Sequence, residues 1–315
     1  MVKIDLVTGF LGSGKTTFIK RYAEYLMDQG QNIGILENDF GAVNVDMLLL
    51  QELQGDNCEL EMISGGCDQE THRRRFKTKL ISMGMCGYDR VIVEPSGIYD
   101  VDEFFDVLRD DPLDRWYEIG NVFAVVNAKL ENQLSDQAEF LLASETANAG
   151  RVILSRSQEA AEEEKRETVE HLNRAMAAYG CSRKLEPSEI LDQAWDEFTK
   201  EDFQKILNSG YRTESYRKPE FNEKQGFQSL YYMNLKMTEA EVKTEVQAAL
   251  KDEKCGSVFR IKGFMQTGEN QWIELNATKN ETEIHPIREG QEVLIVIGER
   301  LEEEALAAYF GYPAK

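Results

Sequence analysis

The sequence lacks the long apolar segments of membrane proteins, the C-x-x-C pairs of many disulfide or metal sites and the histidine-rich tracts of metal-storage proteins. Its 315 residues include no apolar run long enough to cross a bilayer. Lys3 and Asp5 interrupt the first apolar run, so no signal peptide is expected. The five cysteines form no C-x-x-C pair, and they are expected to be reduced thiols of a cytoplasmic protein. Only three histidines are present, which leaves no histidine-rich tract to store a metal ion.

Positive charge is also scarce. The 36 lysines and arginines stand against 57 aspartates and glutamates, for a net charge of −21 at pH 7. A charge of this size repels nucleic acid and anionic membranes over most of the surface, so neither is expected as a partner. It suits a cationic partner or a metal ion, and the alternative is simply a solvated acidic surface. The length and the 42% of hydrophobic residues indicate a soluble globular protein of two domains.

The most informative stretch is GFLGSGKTT at residues 9–17, which matches the phosphate-binding pattern G-x-x-x-x-G-K-[ST] at every fixed position. Glycines allow successive backbone N–H groups to curl around an anion, because no Cβ stands in the way. Lys15 adds a positive charge that can reach the β and γ phosphates, and the Thr16 hydroxyl can bind Mg²⁺. The predicted phosphate-binding residues are Gly9, Gly12, Ser13, Gly14, Lys15, Thr16 and Thr17.

The flanks of this loop agree with that interpretation. Val2 to Val7 is a short β-branched run, and apolar residues from Phe18 to Leu26 recur at helical spacing. The loop is therefore predicted to lie between a strand and an amphipathic helix, whose N-terminus favours phosphate. The sequence predicts a chain that binds a nucleoside triphosphate.

Two further predicted strands end in acidic loops. The second strand runs into Glu37-Asn38-Asp39-Phe40-Gly41, and the fourth runs into Glu94-Pro95-Ser96-Gly97. Ligands of open α/β sheets bind at the carboxyl ends of the strands, where such carboxylates can hold a magnesium-bound or attacking water. Gly97 would let the backbone approach a γ-phosphate. For the first loop, an ordinary polar connection after a strand is the alternative.

Six short apolar runs between residues 2 and 154 alternate with helical stretches, which predicts a parallel sheet with right-handed crossovers. The expected fold class is α/β. A P-loop NTPase domain would cover residues 1–208, a linker 209–226, and a smaller C-terminal α+β domain 227–315. In the second domain, Thr238 and Glu241 form a capping box ahead of a helix. In the first, His171 lies off the buried stripe of its helix and is interpreted as a surface residue.

The helix that follows residue 67 carries a cluster of basic side chains, which is unusual on so acidic a chain. The cluster comprises His72, Arg73, Arg74, Arg75, Lys77 and Lys79. It could meet an acidic partner or phosphates, or it could be a solvated helix face. The sequence leaves both interpretations open.

These motifs resemble the CobW family of P-loop GTPases, which are relatives of the urease and hydrogenase nickel-insertion GTPases. The resemblance implies a cytoplasmic, Mg²⁺-dependent GTPase of slow turnover that delivers a metal ion or helps to assemble a metal- or corrinoid-dependent client protein. It implies switch loops near residues 38–50 and 64–75, and it is compatible with a nucleotide-dependent homodimer. The resemblance extends along the whole chain. The matching motifs are the P-loop, residues 37–41, Gly65-Gly66-Cys67, residues 94–97, RIKG at 260–263 and VIG at 296–298.

The resemblance also implies roles for individual residues. The catalytic set would be Lys15, Asp39, Glu94 and Gly97, with Glu94 and Gly97 sensing the γ-phosphate. Thr16 and Asp39 would hold Mg²⁺, directly or through water.

The metal motif of the family is altered in this chain. The family has C-x-C-C, whose thiolates bind Zn²⁺ or a similar soft ion, and the matching residues here are Cys67-Asp68-Gln69-Glu70. One thiolate remains. Cys67 with Glu37 and Glu70 would make a weak Zn²⁺ or Co²⁺ site.

The base-reading motif is altered as well. The family reads guanine with N-K-x-D, and the matching residues that would contact the base here are Ser155, Arg156 and Gln158, in the stretch SRSQ. Arg156 can still stack on a purine. Gln158 offers a neutral carbonyl in place of a carboxylate and accepts a hydrogen bond more weakly. GTP is the expected nucleotide, with ATP as an open alternative.

Two other functions remain open at this point. One is a nucleotide-gated protein-interaction switch without metal transfer, which the loss of cysteines favours. The other is a P-loop kinase that acts on a small molecule, which the Glu-Pro-Ser-Gly loop and the second domain count against.

Overall fold

The computed structural model describes residues 1–38, 49–63, 69–219, 227–235, 237–268, 271–288, 290 and 292–311. The chain forms two compact units, Met1–Pro219 and Glu220–Lys315. Each unit has its own sheet and its own apolar core. Cys67 and Asp39 lie outside the described residues, as do residues 39–48 of the first predicted switch loop and 64–68 of the second.

The first unit is built on a seven-stranded sheet in which every described strand pair is parallel. The strand order is β3-β2-β4-β1-β5-β6-β7, so β1 lies in the middle between β4 and β5. Buried parallel strands of this kind read as short apolar runs because both of their faces are covered. The strands are β1 (Val2–Thr8), β2 (Ile33–Asn38), β3 (Cys58–Ile63), β4 (Arg90–Pro95), β5 (Tyr117–Asn127), β6 (Arg151–Ser155) and β7 (Ile190–Leu191).

Helices cover both faces of this sheet. On one face, Phe18 and Tyr22 of the first helix pack against Phe123 of β5, and Tyr25 of the same helix stacks on Phe203. On the other face, a second core contains Phe76 and other buried side chains of the five helices between residues 69 and 178. The helices of this unit are α1 (Lys15–Asp28), α2 (Gln69–Gly84), α3 (Val101–Leu108), α4 (Leu113–Trp116), α5 (Asp136–Asn148), α6 (Glu162–Ala178) and α7 (Lys200–Leu207).

The second unit contains a five-stranded antiparallel sheet of order β11-β10-β9-β12-β8. The predicted capping box is present, because Thr238 Oγ1 accepts from the Glu241 N–H while Glu241 Oε2 accepts from the Thr238 N–H at 2.8 Å. The elements are β8 (Phe227–Met233), α8 (Glu239–Lys251), β9 (Ser257–Gly268), β10 (Gln271–Ala277), β11 (Thr282–Ile287), β12 (Val293–Glu299) and α9 (Glu303–Tyr309).

The predicted fold class is confirmed, with two strands that the sequence pattern did not indicate. Strand β7 has two residues, too few for any periodicity, and β11 lies in a polar stretch. Residues at the start of the predicted linker hydrogen-bond to the first unit: Gly210 O accepts from Val122 N at 3.0 Å, and Arg217 N donates to Tyr179 O at 2.7 Å.

Two predicted surface features are partly internal. His171 was expected at the surface, but it is 3% exposed and its Nε2 lies 2.7 Å from Glu139 Oε1, because α6 packs against α5 over a face wider than its apolar stripe. His72 of the basic cluster is fully buried. Within the described chain, Lys77 and Lys79 pair with Asp110 and Glu61 at 3.2 and 2.7 Å, so much of the cluster's charge is matched inside the unit.

A buried ionic network joins the central strands. Asp5 of β1 has no exposed surface and accepts two hydrogen bonds from Arg90 Nη1, at 2.7 and 2.6 Å. It also accepts from Tyr22 Oη at 2.7 Å and from the Asn121 N–H at 2.8 Å. A Cβ on Gly120 would lie 2.3 Å from Asp5 Oδ1, so the network fills all the space available. It ties α1, β4 and β5 to β1.

Arg90→Leu is expected to lower the free energy of unfolding by about 3–5 kcal/mol, because it leaves Asp5 as a buried, unbalanced charge. Urea unfolding followed by circular dichroism measures this. The double variant Asp5→Leu/Arg90→Leu should lose less than Arg90→Leu alone, since it removes both charges.

Arg115→Leu is the matched control, because Arg115 pairs with Asp111 while its side chain is 69% exposed. We expect this change to cost about 1 kcal/mol or less. Equal losses of unfolding free energy in Arg90→Leu and Arg115→Leu would show that the buried network stabilises the fold no more than a surface ion pair.

Candidate functional site

The loop between β1 and α1 has the backbone that its glycines predict. Gly9 and Gly14 have φ angles of 151° and 95°, in the region that favours glycine. A Cβ on Gly9 would lie only 2.2 Å from the Val125 carbonyl oxygen. Gly14 is the N-cap of α1, and its carbonyl accepts from the Phe18 N–H at 3.1 Å. The first N–H groups of a helix have no partner within it, so this N-terminus can bind an anion.

Lys15 is folded against this loop. Its side chain is buried, with the residue 6% exposed, and Nζ donates to the Gly9 carbonyl at 2.9 Å. The ammonium group therefore spans the loop from the helix back to its first glycine. A positive charge held there faces the same space as the helix N-terminus.

Thr16 and Glu94 form a second contact at the carboxyl edge of the sheet. Thr16 Oγ1 donates to Glu94 Oε1 at 2.8 Å, and both residues are buried. Glu37 of β2 is in register with Glu94 of β4 and is 4% exposed. Two carboxylates and a hydroxyl thus gather beside the phosphate loop, and oxygen donors of this kind suit Mg²⁺.

Gly97 brings the loop after β4 against the phosphate loop. A Cβ on Gly97 would lie 2.7 Å from Leu11 N and 2.9 Å from Leu11 Cα. Since those are backbone atoms, a larger residue could enter only if one loop moved. The predicted γ-phosphate residue is therefore in contact with the predicted phosphate loop.

The three predicted base-reading residues are placed differently from one another. Ser155 is buried, and its Cβ lies 3.6 Å from the position of a Gly14 Cβ. Arg156 has a φ of 53° and donates from Nη1 to the Gly12 carbonyl at 3.4 Å. Gln158 is exposed in the turn that follows. Ser155 and Arg156 thus adjoin the loop, and Gln158 remains accessible next to them.

Trp195 is a site residue that sequence reasoning missed. It follows β7, and its Cη2 lies 3.1 Å from the position of a Gly14 Cβ. It also packs edge-on against Phe18 of α1, with ring centroids 5.9 Å apart. No pattern indicated it, because β7 is too short to be recognised.

Glu145 is the second missed residue, and it adjoins the loop. It lies in α5 and is 1% exposed, and its Oε1 accepts from Thr8 Oγ1 at 3.1 Å. Burial raises its pKa to about 8, while the Lys15 ammonium, the Thr8 hydroxyl and the Gly9 backbone oppose the increase. A lone glutamate in the otherwise uncharged stretch from Phe140 to Ala149 was the available signal.

The predicted transition-metal ligands are not all gathered by the described structure. Glu37 is buried at the end of β2, whereas the Glu70 side chain is 74% exposed and pairs with Arg74. Cys67 lies outside the described residues. Across the ranges that are described, no group of three or more His, Cys, Asp or Glu could hold a metal ion. Nor does any helix there have the length and apolarity needed to cross a bilayer.

Comparison with known protein families supports the interpretation of the glycine loop and the parallel sheet as a nucleotide-binding domain. The model of the nucleotide-binding domain described as CobW/HypB/UreG matches residues 3–180. The model of the CobW C-terminal domain matches residues 238–311. The chain belongs to the CobW/HypB/UreG family. This membership confirms the predicted family and its nucleotide-binding domain.

Two curated relatives of this CobW-family chain come from Escherichia coli (strain K12). The zinc chaperone YjiA is 28% identical over 176 residues, which are 52% of this chain and 52% of that protein. The zinc chaperone YeiR is 29% identical over 131 residues, which are 41% of this chain and 39% of that protein. The chain thus spans about half or less of the length of these curated relatives.

Solved structures give weaker similarities. Zn(II)-bound YjiA GTPase from E. coli aligns over 98% of both chains with 18% identity and a TM-score of 0.35. The hydrogenase maturation factor HypB from Archaeoglobus fulgidus aligns over 66% of this chain and 87% of its own, with 17% identity and a TM-score of 0.40. TM-scores this low carry no functional conclusion, and the fold follows from the strand order and the family match.

Gly97→Ala is expected to weaken triphosphate binding by at least about tenfold, or about 1.4 kcal/mol, because the new methyl group displaces the phosphate loop at Leu11. Gly55→Ala is the control, since nothing lies within 4 Å of its added Cβ. Titration of both variants with a fluorescent GTP analogue measures the effect. Unchanged affinity in Gly97→Ala would mean that this contact does not shape the nucleotide site.

Proposed function

We propose that this CobW-family chain binds GTP with Mg²⁺, hydrolyses it slowly, and uses that cycle to deliver a metal ion to a client protein or to assemble a metal- or corrinoid-dependent one. The observation that carries the proposal is the convergence of Lys15, Thr16 and Glu94 on one glycine loop at a helix N-terminus. The family match supports nucleotide binding as the first step.

The phosphates would be bound by the loop N–H groups and by Lys15. Phosphoryl transfer depends mainly on positioning and on stabilising charge, which is what buried donors supply. When bound, Mg²⁺ would neutralise charge on the β and γ phosphate oxygens. Thr16 would ligate it together with Asp39. Because the Thr16 hydroxyl donates its hydrogen bond to Glu94 Oε1 at 2.8 Å, the lone pairs of Thr16 Oγ1 could face the ion.

The γ-phosphate would lie between the phosphate loop and the loop after β4. The backbone of Gly97 would approach the γ-phosphate, and Glu94 would hold a magnesium-bound or attacking water. Turnover would be slow without a partner, since the sequence marks no arginine finger. A partner of this kind could be a client or a second copy of the chain.

The base would lie at the ends of β6 and β7. Arg156 would stack on the purine, and the exposed Gln158 would accept from it with a neutral carbonyl. We propose GTP as the preferred nucleotide, with a smaller margin over ATP than an aspartate would give.

Zinc is the cargo that the relatives suggest, since YjiA and YeiR are both named zinc chaperones. Cys67 would supply the thiolate and Glu37 a buried carboxylate, so a mixed sulfur–oxygen site would hold Zn²⁺ or Co²⁺ weakly. Weak binding suits release to a client, whose contact surface we assign to the second unit.

A nucleotide-gated interaction switch without metal transfer is the second candidate. The replacement of two family cysteines, in Cys67-Asp68-Gln69-Glu70, favours it. It requires the same nucleotide site. Metal binding therefore distinguishes the two functions.

Lys15→Ala is expected to reduce GTP affinity by at least about 100-fold, or about 2.8 kcal/mol, and to abolish measurable hydrolysis. The variant removes the ammonium group that spans the loop. Lys20→Ala is the control, because Lys20 lies on the same helix and pairs with Glu52 at the surface. Equilibrium titration with GTP and ATP at matched Mg²⁺ measures both. If Lys15→Ala bound GTP as tightly as the parent protein, the assignment of the phosphate site would be wrong.

Purified protein is expected to contain little metal and to bind Co²⁺ weakly through Cys67, with an absorption band from thiolate to metal. Cys67→Ser should abolish this band, whereas Cys86→Ser, which alters an exposed free thiol, should keep it. The titration is run with and without a non-hydrolysable triphosphate. Absence of binding in both states would favour the interaction switch, and a tight site that survives Cys67→Ser would place the metal elsewhere.

A further inference from the structure

The phosphate loop adjoins a second buried carboxyl group besides that of Glu94. Glu145 projects from α5 and is 1% exposed. Its Oε1 accepts from the hydroxyl of Thr8, the residue immediately before the first loop glycine, at 3.1 Å. Its Oε2 is buried and makes no hydrogen bond of standard geometry to a described residue, although the Gly9 N–H still favours the ionised carboxyl. No role in the proposed reaction yet uses this group.

Lys15 is the charge that acts on Glu145. The Lys15 ammonium donates to the Gly9 carbonyl at 2.9 Å, and Gly9 follows Thr8 directly. Among the groups that shift the Glu145 pKa, Lys15 is the one that carries a full charge. The Lys15 ammonium thus acts on the buried Glu145 carboxyl and, in the proposed site, on the phosphates as well.

The elements packed against α5 carry other titratable groups, but these engage different residues. On α6, His171 lies 2.7 Å from Glu139. On α3, Asp102 accepts from Tyr216 at 2.7 Å. Arg183 donates to the carbonyls of residues 146, 147 and 149 at the C-terminal end of α5. None of these groups contributes to the Glu145 pKa shift.

We propose that Glu145 is a positioning residue of the phosphate loop, and that its carboxyl must be neutral for Lys15 to hold a triphosphate at full strength. An ionised Glu145 would attract Lys15 away from the phosphates and would repel them. A bound triphosphate would in turn favour the neutral carboxyl, because it places negative charge beside a buried group. Nucleotide binding therefore takes up a proton. The inference rests on the proposed triphosphate site.

The direction of the pH effect follows from linkage. In the free protein the Glu145 pKa is raised to about 8, and bound phosphate would raise this pKa further. Below the free-state pKa the carboxyl is neutral in both states, and it makes no pH-dependent contribution. Above it, binding requires protonation, so affinity falls by up to about tenfold per pH unit. From pH 7 to pH 9 this term weakens binding about tenfold.

Glu145→Gln tests the proposal, because glutamine keeps the acceptor for Thr8 and cannot ionise. The affinity for a non-hydrolysable GTP analogue is measured from pH 7 to pH 9 at saturating Mg²⁺. The ratio of variant to parental affinity should rise about tenfold over this range. Glu139→Gln, on the same helix and away from the loop, should keep the parental profile. The ratio cancels titration of the nucleotide itself.

Proton uptake gives a readout that a purely structural role would not change. Calorimetry in buffers of different ionisation enthalpy should show uptake of about half a proton per nucleotide by the parent at pH 8. Glu145→Gln should show none of this proton uptake.

Parallel pH profiles, or no proton uptake by the parent, would overturn the proposal. If Glu145→Gln does not fold, as judged by its unfolding transition, the parental uptake alone decides. Failure of the parent to bind triphosphate at any pH would instead refute the proposed function.

Discussion

Asp5 carries a charge in the middle of the central strand, and the first unit is arranged to balance it. Arg90, Tyr22 and Asn121 supply the donors from β4, α1 and β5. Burial raises the pKa of Tyr22 and Asp5 raises it further, so the phenol stays protonated and donates. The network holds in one place the three elements that flank the phosphate loop, which starts four residues after Asp5.

The loop itself depends on a few buried polar groups. Lys15, Glu94 and Glu145 come from three elements and are nearly inaccessible to water. Screening by solvent is weak in such an environment, so each charge has a large effect on its neighbours. In the proposed site, the same burial that would make Lys15 effective toward phosphate would also make it sensitive to Glu145. We expect a triphosphate site built this way to respond to changes in single side chains more than to the net charge of −21.

Family membership and individual residues contribute different information. The family matches cover the nucleotide-binding domain and the C-terminal domain, and they account for the P-loop and the two-unit architecture. The chain differs from the family pattern at Cys67-Asp68-Gln69-Glu70 and at the predicted base-reading turn, and those positions bear on the proposed cargo and on the proposed nucleotide. Trp195 beside Gly14 adds an aromatic group near the base-reading turn that the motif comparison did not include.

Local chemistry in the sequence was sufficient for the phosphate loop, for strand β3 at Cys58–Ile63 and for the capping box at Thr238, because each depends on residues that are neighbours along the chain. Tertiary structure alone decided which distant residues meet. Thr16 and Glu94 are 78 positions apart, and Thr8 and Glu145 are 137 apart. These pairs form because the strand order places β1 between β4 and β5, and because α5 packs against this sheet. Neither the periodicity of the sequence nor its motif spacing encodes that order. His171 became internal for the same reason, since the width of a helix interface is set by its partner.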